Sequence, residues 1–180
     1  MSDNLVDVIV TDHREVEELF KQLESRQGTA DERRETADKI ISELVRHSVA
    51  EEMYMYPAAR QALPNGDELA DHEIEEHAEA ERLMKDLEKA DASDPSFDEI
   101  AEKLIAEVRH HIEDEEKDLL PALRNACTVE DLDDLGAKVV AAKKRAPTHP
   151  HPSAPDTPPA NKLLAPGAGL VDRLRDALTK

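Results

Sequence analysis

Three pairs of side chains in this sequence place a glutamate four residues after a histidine. The pairs are His47 with Glu51, His77 with Glu81, and His111 with Glu115. Residues four apart lie one above the other on an α-helix, so each pair would direct an imidazole and a carboxylate toward the same point. Imidazole and carboxylate ligands together suit iron, manganese or zinc. The spacing therefore indicates a metal-binding site carried on helices.

An internal repeat with an offset of 64 residues relates these pairs to one another. It places segment 5–24 over 69–88 and segment 47–57 over 111–121, so that His13 matches His77, His47 matches His111, and Glu51 matches Glu115. A repeat of this kind predicts two helical hairpins of one design. Because both hairpins must bury an apolar face, we predict an all-α fold in which they pack as an up-down-up-down four-helix bundle.

Six polar side chains occupy positions of this bundle that should be apolar. They are His13, His47, Glu51, His77, His111 and Glu115. Burying so many polar groups is costly unless they share a partner, and a metal cluster would supply it. With Glu81 as a seventh donor, the set is too large for one tetrahedral zinc ion. We therefore predict two metal ions, with Glu51 and Glu115 bridging them from opposite hairpins.

Other metal motifs fit this sequence less well. Segment 72–77 places its histidines five residues apart, which excludes the H-E-x-x-H motif of zinc proteases. A ferritin-type site needs an E-x-x-H pair on each of two helices, and the sequence holds one, Glu107 with His110. A helical bundle without metal is the structural alternative, in which every histidine is an ordinary core or surface residue.

Amphipathic patterns define the helices that would position these ligands. Four stretches carry apolar residues on one helical face, at about 3–25, 30–63, 67–90 and 97–126, and a weaker fifth lies at about 129–144. Thr29 with Glu32 and Ser96 with Glu99 match the capping-box pattern at the starts of the second and fourth stretches. The boundaries predicted from these patterns are 1–127 for the bundle and 128–145 for an additional helix.

The composition changes after residue 145. Residues 146–169 are rich in proline and alanine, so we predict a flexible linker there. Residues 170–180 have an apolar face and are predicted to form a short amphipathic helix at the end of this C-terminal extension. The role of this helix, and any protein partner that it would bind, does not follow from the sequence.

The overall charge limits the partners of this chain. The formal net charge of -19 disfavours nucleic acid, whose phosphates would be repelled, and also anionic membrane surfaces. One cysteine, Cys127, cannot form an internal disulfide, which is typical of a reducing compartment. The first residues lack the pattern of a signal peptide, and no apolar stretch reaches membrane-spanning length. We therefore expect a cytoplasmic protein that acts on small molecules.

The ligand pattern resembles that of the hemerythrin-like (HHE cation-binding) family over roughly residues 5–125. The pattern is H…H-x-x-x-E…H…H-x-x-x-E, and a second glutamate and a proline follow each H-x-x-x-E unit. The resemblance implies a non-haem di-iron centre with an oxo or hydroxo bridge. It further implies terminal ligands at the histidines of the pattern and bridging carboxylates at its glutamates, which are His13, His47, His77, His111, Glu51 and Glu115.

The third helix departs from the oxygen-carrying hemerythrins that this chain resembles. Those proteins have H-x-x-x-H there, whereas this chain has Glu81, as in a branch of hemerythrin-like proteins typical of actinobacteria. We expect Glu81 to be the seventh ligand; Glu73, one turn the other way, is the alternative, and Glu17 could compete by symmetry. A third carboxylate makes the site more anionic, which stabilises ferric iron and favours redox turnover over reversible oxygen binding.

The branch that this chain resembles implies catalase-like decomposition of hydrogen peroxide, in oxidative stress or in iron and redox homeostasis. Tyr54, three residues after Glu51, is predicted to face the ligands and to bind iron, donate a hydrogen bond to peroxide or donate a proton. The alternative is a non-enzymatic module that binds O2 or NO, or that senses iron or redox state. Four other side chains with metal-binding groups are expected to lie in solvent: Glu52, His72, His110 and Glu116.

Overall fold

Helices account for all the regular secondary structure that the computed structural model describes, which covers residues 4–154 and 160–178. In chain order they are α1 (Leu5–Glu24), α2 (Ala30–Ala50), the π-helix π1 (Glu51–Met55), α3 (Tyr56–Ala62), α4 (Gly66–Lys89), α5 (Pro95–Asp114), the π-helix π2 (Glu115–Leu119), α6 (Leu120–Ala126), α7 (Val129–Lys143) and α8 (Ala160–Leu178). No helix in these two ranges is long and apolar enough to cross a membrane. The predicted all-α fold is confirmed.

Side-chain caps fix the starts of the bundle helices. Thr29 and Glu32 form the predicted capping box at α2, and their side chains accept hydrogen bonds of 3.2 and 2.7 Å from each other's backbone N–H groups. α5 begins at Pro95, because Asp94 accepts a hydrogen bond from the backbone N–H of Ser96. Proline suits this first position, since its missing N–H is not needed there. The predicted cap at Ser96 is therefore wrong.

Four long helices form the bundle: α1, then α2 continued through π1 and α3, then α4, and finally α5 continued through π2 and α6. α1 packs against α2, α4 against α5, and α2 against α4, as expected for two hairpins that face each other. α7 packs against both α1 and α2. Two apolar clusters fill the bundle, one around Phe20 and Phe97 and the other around Leu5 and Tyr56. The predicted ligand histidines lie between these clusters.

The two π-helices occupy equivalent positions of the 64-residue repeat, and each begins at a predicted bridging glutamate. In π1 the backbone N–H of Tyr56 donates to the carbonyl of Glu51, five residues earlier, and in π2 Leu120 donates to Glu115 in the same way. A proline comes directly after each of these donors, Pro57 after Tyr56 and Pro121 after Leu120. Proline cannot donate to the carbonyl of the preceding turn and crowds it, which gives a local reason for the wider turn.

The C-terminal extension packs on the bundle through contacts that its composition does not reveal. α8 begins at Ala160, within the segment predicted as a linker, and contains Pro166. Asp172 is buried and accepts hydrogen bonds from the backbone N–H groups of Thr148 and His149 at 3.0 and 3.2 Å. These bonds tie α8 to the segment that precedes it. The remaining parts of the predicted linker and terminal helix, at 155–159, 179 and 180, lie outside the described residues.

Candidate metal centre

The structure brings six of the seven predicted metal ligands together in one buried layer. His13, His47, His77 and His111 have at most 7% of their surface exposed, and Glu51 and Glu115 are fully buried. Each histidine turns its Nε2 atom toward one or both of these glutamates. Apolar clusters lie on both sides of the layer. Toward the centre of the layer, these histidines and glutamates therefore have mainly one another as polar neighbours.

The potential ligand atoms form two groups that share the glutamates. In the first group, atoms of His13, His47, Glu51 and Glu115 all lie within 4.8 Å of one another. The second group comprises two overlapping sets with the same spacing, Glu51 with His77 and His111, and Glu73 with His111 and Glu115. Glu51 and Glu115 therefore face both groups, as expected of carboxylates that bridge two ions.

Several of these buried atoms have no hydrogen-bond partner within the described protein. They are Nε2 of His13 and His47, both carboxylate oxygens of Glu51, and one oxygen each of Glu73 and Glu115. Nε2 of His47 lies 2.9 Å from Glu51, but without the geometry of a hydrogen bond. Buried polar atoms normally have partners. Two cations between these atoms would supply the missing interactions, so the residues fit a dinuclear metal centre.

Neighbouring groups of opposite charge shift the pKa values of the buried histidines and glutamates. Burial lowers the pKa of His47, but the carboxylates of Glu51 and Asp12 outweigh it and raise the pKa to about 10. Burial raises the pKa of Glu51, but the imidazoles of His47 and His77 outweigh it, so the pKa of Glu51 lies well below its usual value. Metal ions would replace protons on the histidines, because a histidine must be deprotonated to act as a ligand.

Four further carboxylates hold the outer nitrogens of the histidines. Nδ1 of His47 lies 3.2 Å from Asp12, Nδ1 of His111 lies 2.9 Å from Glu76, Nδ1 of His13 lies 2.9 Å from Glu116, and Nδ1 of His77 lies 3.0 Å from Glu52. A carboxylate accepts hydrogen bonds, so each Nδ1 donates its proton, and each Nε2 can offer a lone pair to a metal once any proton there has been lost. These contacts join different helices and obey the pseudo-two-fold symmetry of the repeat.

Sequence reasoning missed the role of these four carboxylates. The expectation that Glu52 and Glu116 lie in solvent is wrong, because Glu52 is buried and the Glu116 side chain, which also pairs with Arg14, is only 25% exposed. The 64-residue repeat contains a pattern from which these four carboxylates could have been identified. Asp12 matches Glu76 at the 64-residue offset, and Glu52 matches Glu116.

A third carboxylate, Glu73, joins the second ligand group. It is buried, lies one turn before His77 on α4, and places Oε2 at 2.9 Å from Nδ1 of His111. Burial raises the pKa of Glu73, so its ionised form would gain from a nearby cation. The repeat has Ile9 at the equivalent position of the first hairpin. Glu73 thus lies beside the second ligand group, with its Oε2 atom at the outer nitrogen of His111.

A buried hydroxyl faces the same position. Tyr56 follows Glu51 across the π turn, is fully buried, and places its hydroxyl 3.0 Å from Oε1 of Glu115 and 3.0 Å from Nε2 of His77. Burial and the neighbouring carboxylates raise the pKa of this hydroxyl well above its usual value. Leu120 occupies the equivalent position of the repeat. The two metal positions therefore have different surroundings.

The structure does not bring Glu81 or Tyr54 into the ligand layer. Oε1 of Glu81 accepts a hydrogen bond from the backbone N–H of His151 at 2.7 Å, beside the C-terminal extension. Tyr54 lies within π1, and Nζ of Lys162 lies 4.5 Å from the centroid of its ring. These two side chains face α8 and the segment before it rather than the metal positions.

A small cavity adjoins the ligand layer. It has a volume of about 30 Å³, enough for a molecule slightly larger than water. All four ligand histidines line it, together with apolar side chains that include Val16, Leu44, Met84 and Val108. The arrangement offers space for a ligand of a few atoms directly beside the metal positions.

Comparisons with known proteins agree with this geometry. A family model described as the hemerythrin HHE cation binding domain matches residues 4–123. An uncharacterized hemerythrin-like protein of Schizosaccharomyces pombe is 29% identical over 175 residues, which cover 97% of this chain and 86% of that protein. A DNA nickase of Nostoc sp. is 31% identical over 144 residues, which cover 79% of this chain and 40% of that protein.

A solved structure has a similar fold. It is the crystal structure of a hemerythrin HHE cation binding domain-containing protein from Mycobacterium kansasii, with a TM-score of 0.68 and 23% sequence identity. The match covers 78% of this chain and 85% of that one. The likeness concerns the fold, and it agrees with the helical bundle described above.

Proposed function

The chain belongs to the hemerythrin HHE cation-binding domain family, and on that premise we propose that its buried ligand layer holds two iron ions and decomposes hydrogen peroxide. The observation that carries the proposal is the set of buried ligand atoms without partners in the described protein, arranged in two groups that share Glu51 and Glu115. His13 and His47 would complete the first position, and Glu73, His77 and His111 the second. These ligands suit iron or manganese, and the family favours iron.

The carboxylates at the second position support redox turnover. With Glu73, three carboxylates would hold the centre, and an anionic ligand set stabilises the more highly charged ferric ions. Reversible binding of O2 needs a stable diferrous state, which this ligand set disfavours. In this proposal Glu73 takes the role that the sequence suggested for Glu81.

The proposed reaction converts two molecules of hydrogen peroxide into two of water and one of O2. One peroxide loses two electrons and two protons, and the other takes them up as its O–O bond breaks. When bound, a pair of iron ions supplies the redox chemistry for this exchange. The Tyr56 hydroxyl, which donates to Glu115, is placed to pass a proton to an oxygen atom in the layer and to take one back.

The surroundings of the layer support a small, uncharged substrate. The cavity of about 30 Å³ suits hydrogen peroxide, O2 or NO. The net charge of -19 gives no support to DNA as a partner, and the matched nickase extends well beyond the part that this chain covers. The single cysteine supports a reducing compartment such as the cytoplasm.

Oxygen evolution from hydrogen peroxide tests this proposal. The chain, loaded anaerobically with ferrous iron, is expected to hold about two ions and to evolve O2 faster than an equal concentration of free iron. Metal-free and manganese-loaded protein are the controls, and elemental analysis gives the metal content. A rate no higher than that of free iron would contradict the proposal. A reversible spectral change with O2 or NO, without turnover, would identify a gas-binding module instead.

Glutamine substitutions distinguish the two candidates for the seventh ligand. Glu73→Gln is expected to weaken the binding of one iron by about tenfold or more, because it removes a charge from the second metal position. Glu81→Gln, on the other side of His77, is expected to leave both ions in place, since its carboxylate contacts the backbone of His151. Chelator titration of the iron-loaded variants measures both. Weakened binding in the Glu81→Gln protein alone would reverse the assignment.

A further inference from the structure

A second group of histidines and carboxylates lies on the surface of α4 and α5. Its members are His72, Glu76, His110 and Asp114. The side chains of the two histidines are 53% and 61% exposed, whereas those of Glu76 and Asp114 are 11% and 28% exposed. The exposure of the histidines agrees with the prediction from the sequence. Their imidazoles, however, converge on the same two carboxylates.

The distances within this surface cluster suit a metal site. Nε2 of His72 lies 3.5 Å from Oε1 of Glu76 and 3.8 Å from Oδ2 of Asp114. Nε2 of His110 lies 4.0 and 3.8 Å from the same two oxygens. Ligand atoms about 2.1 Å from one ion stand about 3.4 Å apart in tetrahedral geometry. His72, Glu76 and Asp114 offer ligand atoms that all lie within 4.8 Å of one another, and the exposed side chain of His110 would move toward them to complete the set.

The repeat provides a comparison that favours a cation here. Asp12 and Glu76 are equivalent, and each holds a ligand histidine with one carboxylate oxygen. The other oxygen of Asp12 lies 2.6 Å from Nζ of Lys143. The other oxygen of Glu76 faces the two surface imidazoles, and no lysine or arginine in the described ranges forms an ion pair with it. A bound cation would take the place that the ammonium group has beside Asp12.

The 64-residue repeat does not account for the surface cluster, because the first hairpin lacks its other members. The residues equivalent to its other members in the first hairpin are Val8, Arg46 and Ala50. None of these three can replace a histidine or carboxylate as a metal ligand. The cluster thus arises from side chains of the second hairpin alone.

We propose that the surface cluster is a third metal site, which binds a divalent first-row transition ion. Two imidazoles and two carboxylates suit zinc, ferrous iron or cobalt. The site contacts the buried centre through Glu76, because Oε2 of Glu76 lies 2.9 Å from Nδ1 of His111 while Oε1 faces the surface imidazoles. The inference does not rest on the proposed peroxide activity, since none of the four ligands belongs to the buried metal positions.

Zinc binding by matched variants tests the surface site. The iron-loaded chain is dialysed to equilibrium against micromolar Zn²⁺, and elemental analysis counts both metals. The His72→Gln/His110→Gln double variant is expected to bind about one zinc ion per chain fewer than the unsubstituted protein. The control is the His149→Gln/His151→Gln double variant, which removes two other histidines that pair with carboxylates. It is expected to bind as much zinc as the unsubstituted protein.

This experiment distinguishes zinc bound at the surface cluster from metal bound in the buried layer. The measured quantity is a difference between variants, so it is the same whether the buried layer holds iron, zinc or neither. His72 and His110 are exposed, and circular dichroism should show that their replacement leaves the helices intact. Equal zinc in all three proteins would overturn the proposal. So would an equal loss in both double variants, which would show non-specific binding to histidine.

Discussion

Iron is expected to be lost when Glu115 is replaced by glutamine. Glu115 is fully buried, belongs to both ligand groups, and has an oxygen without a hydrogen-bond partner in the described protein. An amide keeps the shape of the side chain but removes its charge and turns an NH2 group toward one of the ions. We expect the iron content to fall at least about tenfold, and oxygen evolution to fall to the rate of free iron. Elemental analysis and an oxygen electrode measure the two effects.

Glu113→Gln is the matched control for this prediction. It makes the same change of charge two residues earlier, at an exposed position of α5, and should keep its iron. Glu51→Gln repeats the test from the first hairpin, because the repeat makes Glu51 equivalent to Glu115. A Glu115→Gln protein that still held two ions would show that this carboxylate does not bridge them.

Peroxide turnover is expected to slow by about a hundredfold in Tyr56→Phe, with the iron content unchanged. The substitution removes a hydroxyl 3.0 Å from Glu115 and keeps the ring, which packs in the apolar cluster around Leu5. A positioned proton donor typically contributes about a hundredfold or more to the rate of a reaction. Oxygen evolution by the iron-loaded variant, measured with its iron content on the same sample, separates lost proton transfer from lost metal.

Tyr54→Phe is the matched control and also tests the prediction made from the sequence. The ring of Tyr54 contacts Lys162 and lies outside the ligand layer, so this variant should turn over peroxide at the normal rate. A slow Tyr54→Phe protein beside a normal Tyr56→Phe protein would support the prediction from the sequence. It would show that the role proposed for Tyr56 is wrong.

The buried cluster of histidines and glutamates could be predicted because the repeat shows their pattern twice. A single H-x-x-x-E pair has little meaning on an acidic helix, but two pairs at equivalent positions, each among apolar neighbours, indicate one buried site. The helices could be predicted because each carries apolar residues at helical spacing. The ends of the five helices predicted in residues 3–144 agree with the structure to within two residues.

The sequence could not predict which tyrosine faces the ligand layer, because the helical period changes in π1. A constant α-helical spacing puts Tyr54, three residues after Glu51, on the ligand face. The π turn forms its hydrogen bond over five residues, so Tyr56 takes that place. Pro57 is visible in the sequence, but a proline inside a helix predicts a kink or an end as readily as a π turn.

The choice between Glu73 and Glu81 depends on how α4 is rotated in the bundle. Four residues advance a helix by slightly more than one turn, so the two side chains lean to opposite sides of His77. Spacing alone gives no reason to prefer either side. In the structure Glu73 is buried beside His111 and Glu115. Glu17, which the repeat makes equivalent to Glu81, forms an ion pair with Arg109 at 2.9 Å instead.

The division of the ligands between two hairpins has a consequence for the synthesis of the protein. The first hairpin supplies His13, His47 and Glu51, whereas the second buried glutamate of the layer, Glu115, follows 64 residues after Glu51. A nascent chain therefore cannot assemble the complete layer until the ribosome has passed Glu115 and the two hairpins have docked. Metal insertion would then follow translation. The free energy of metal binding would hold the two halves of the finished chain together.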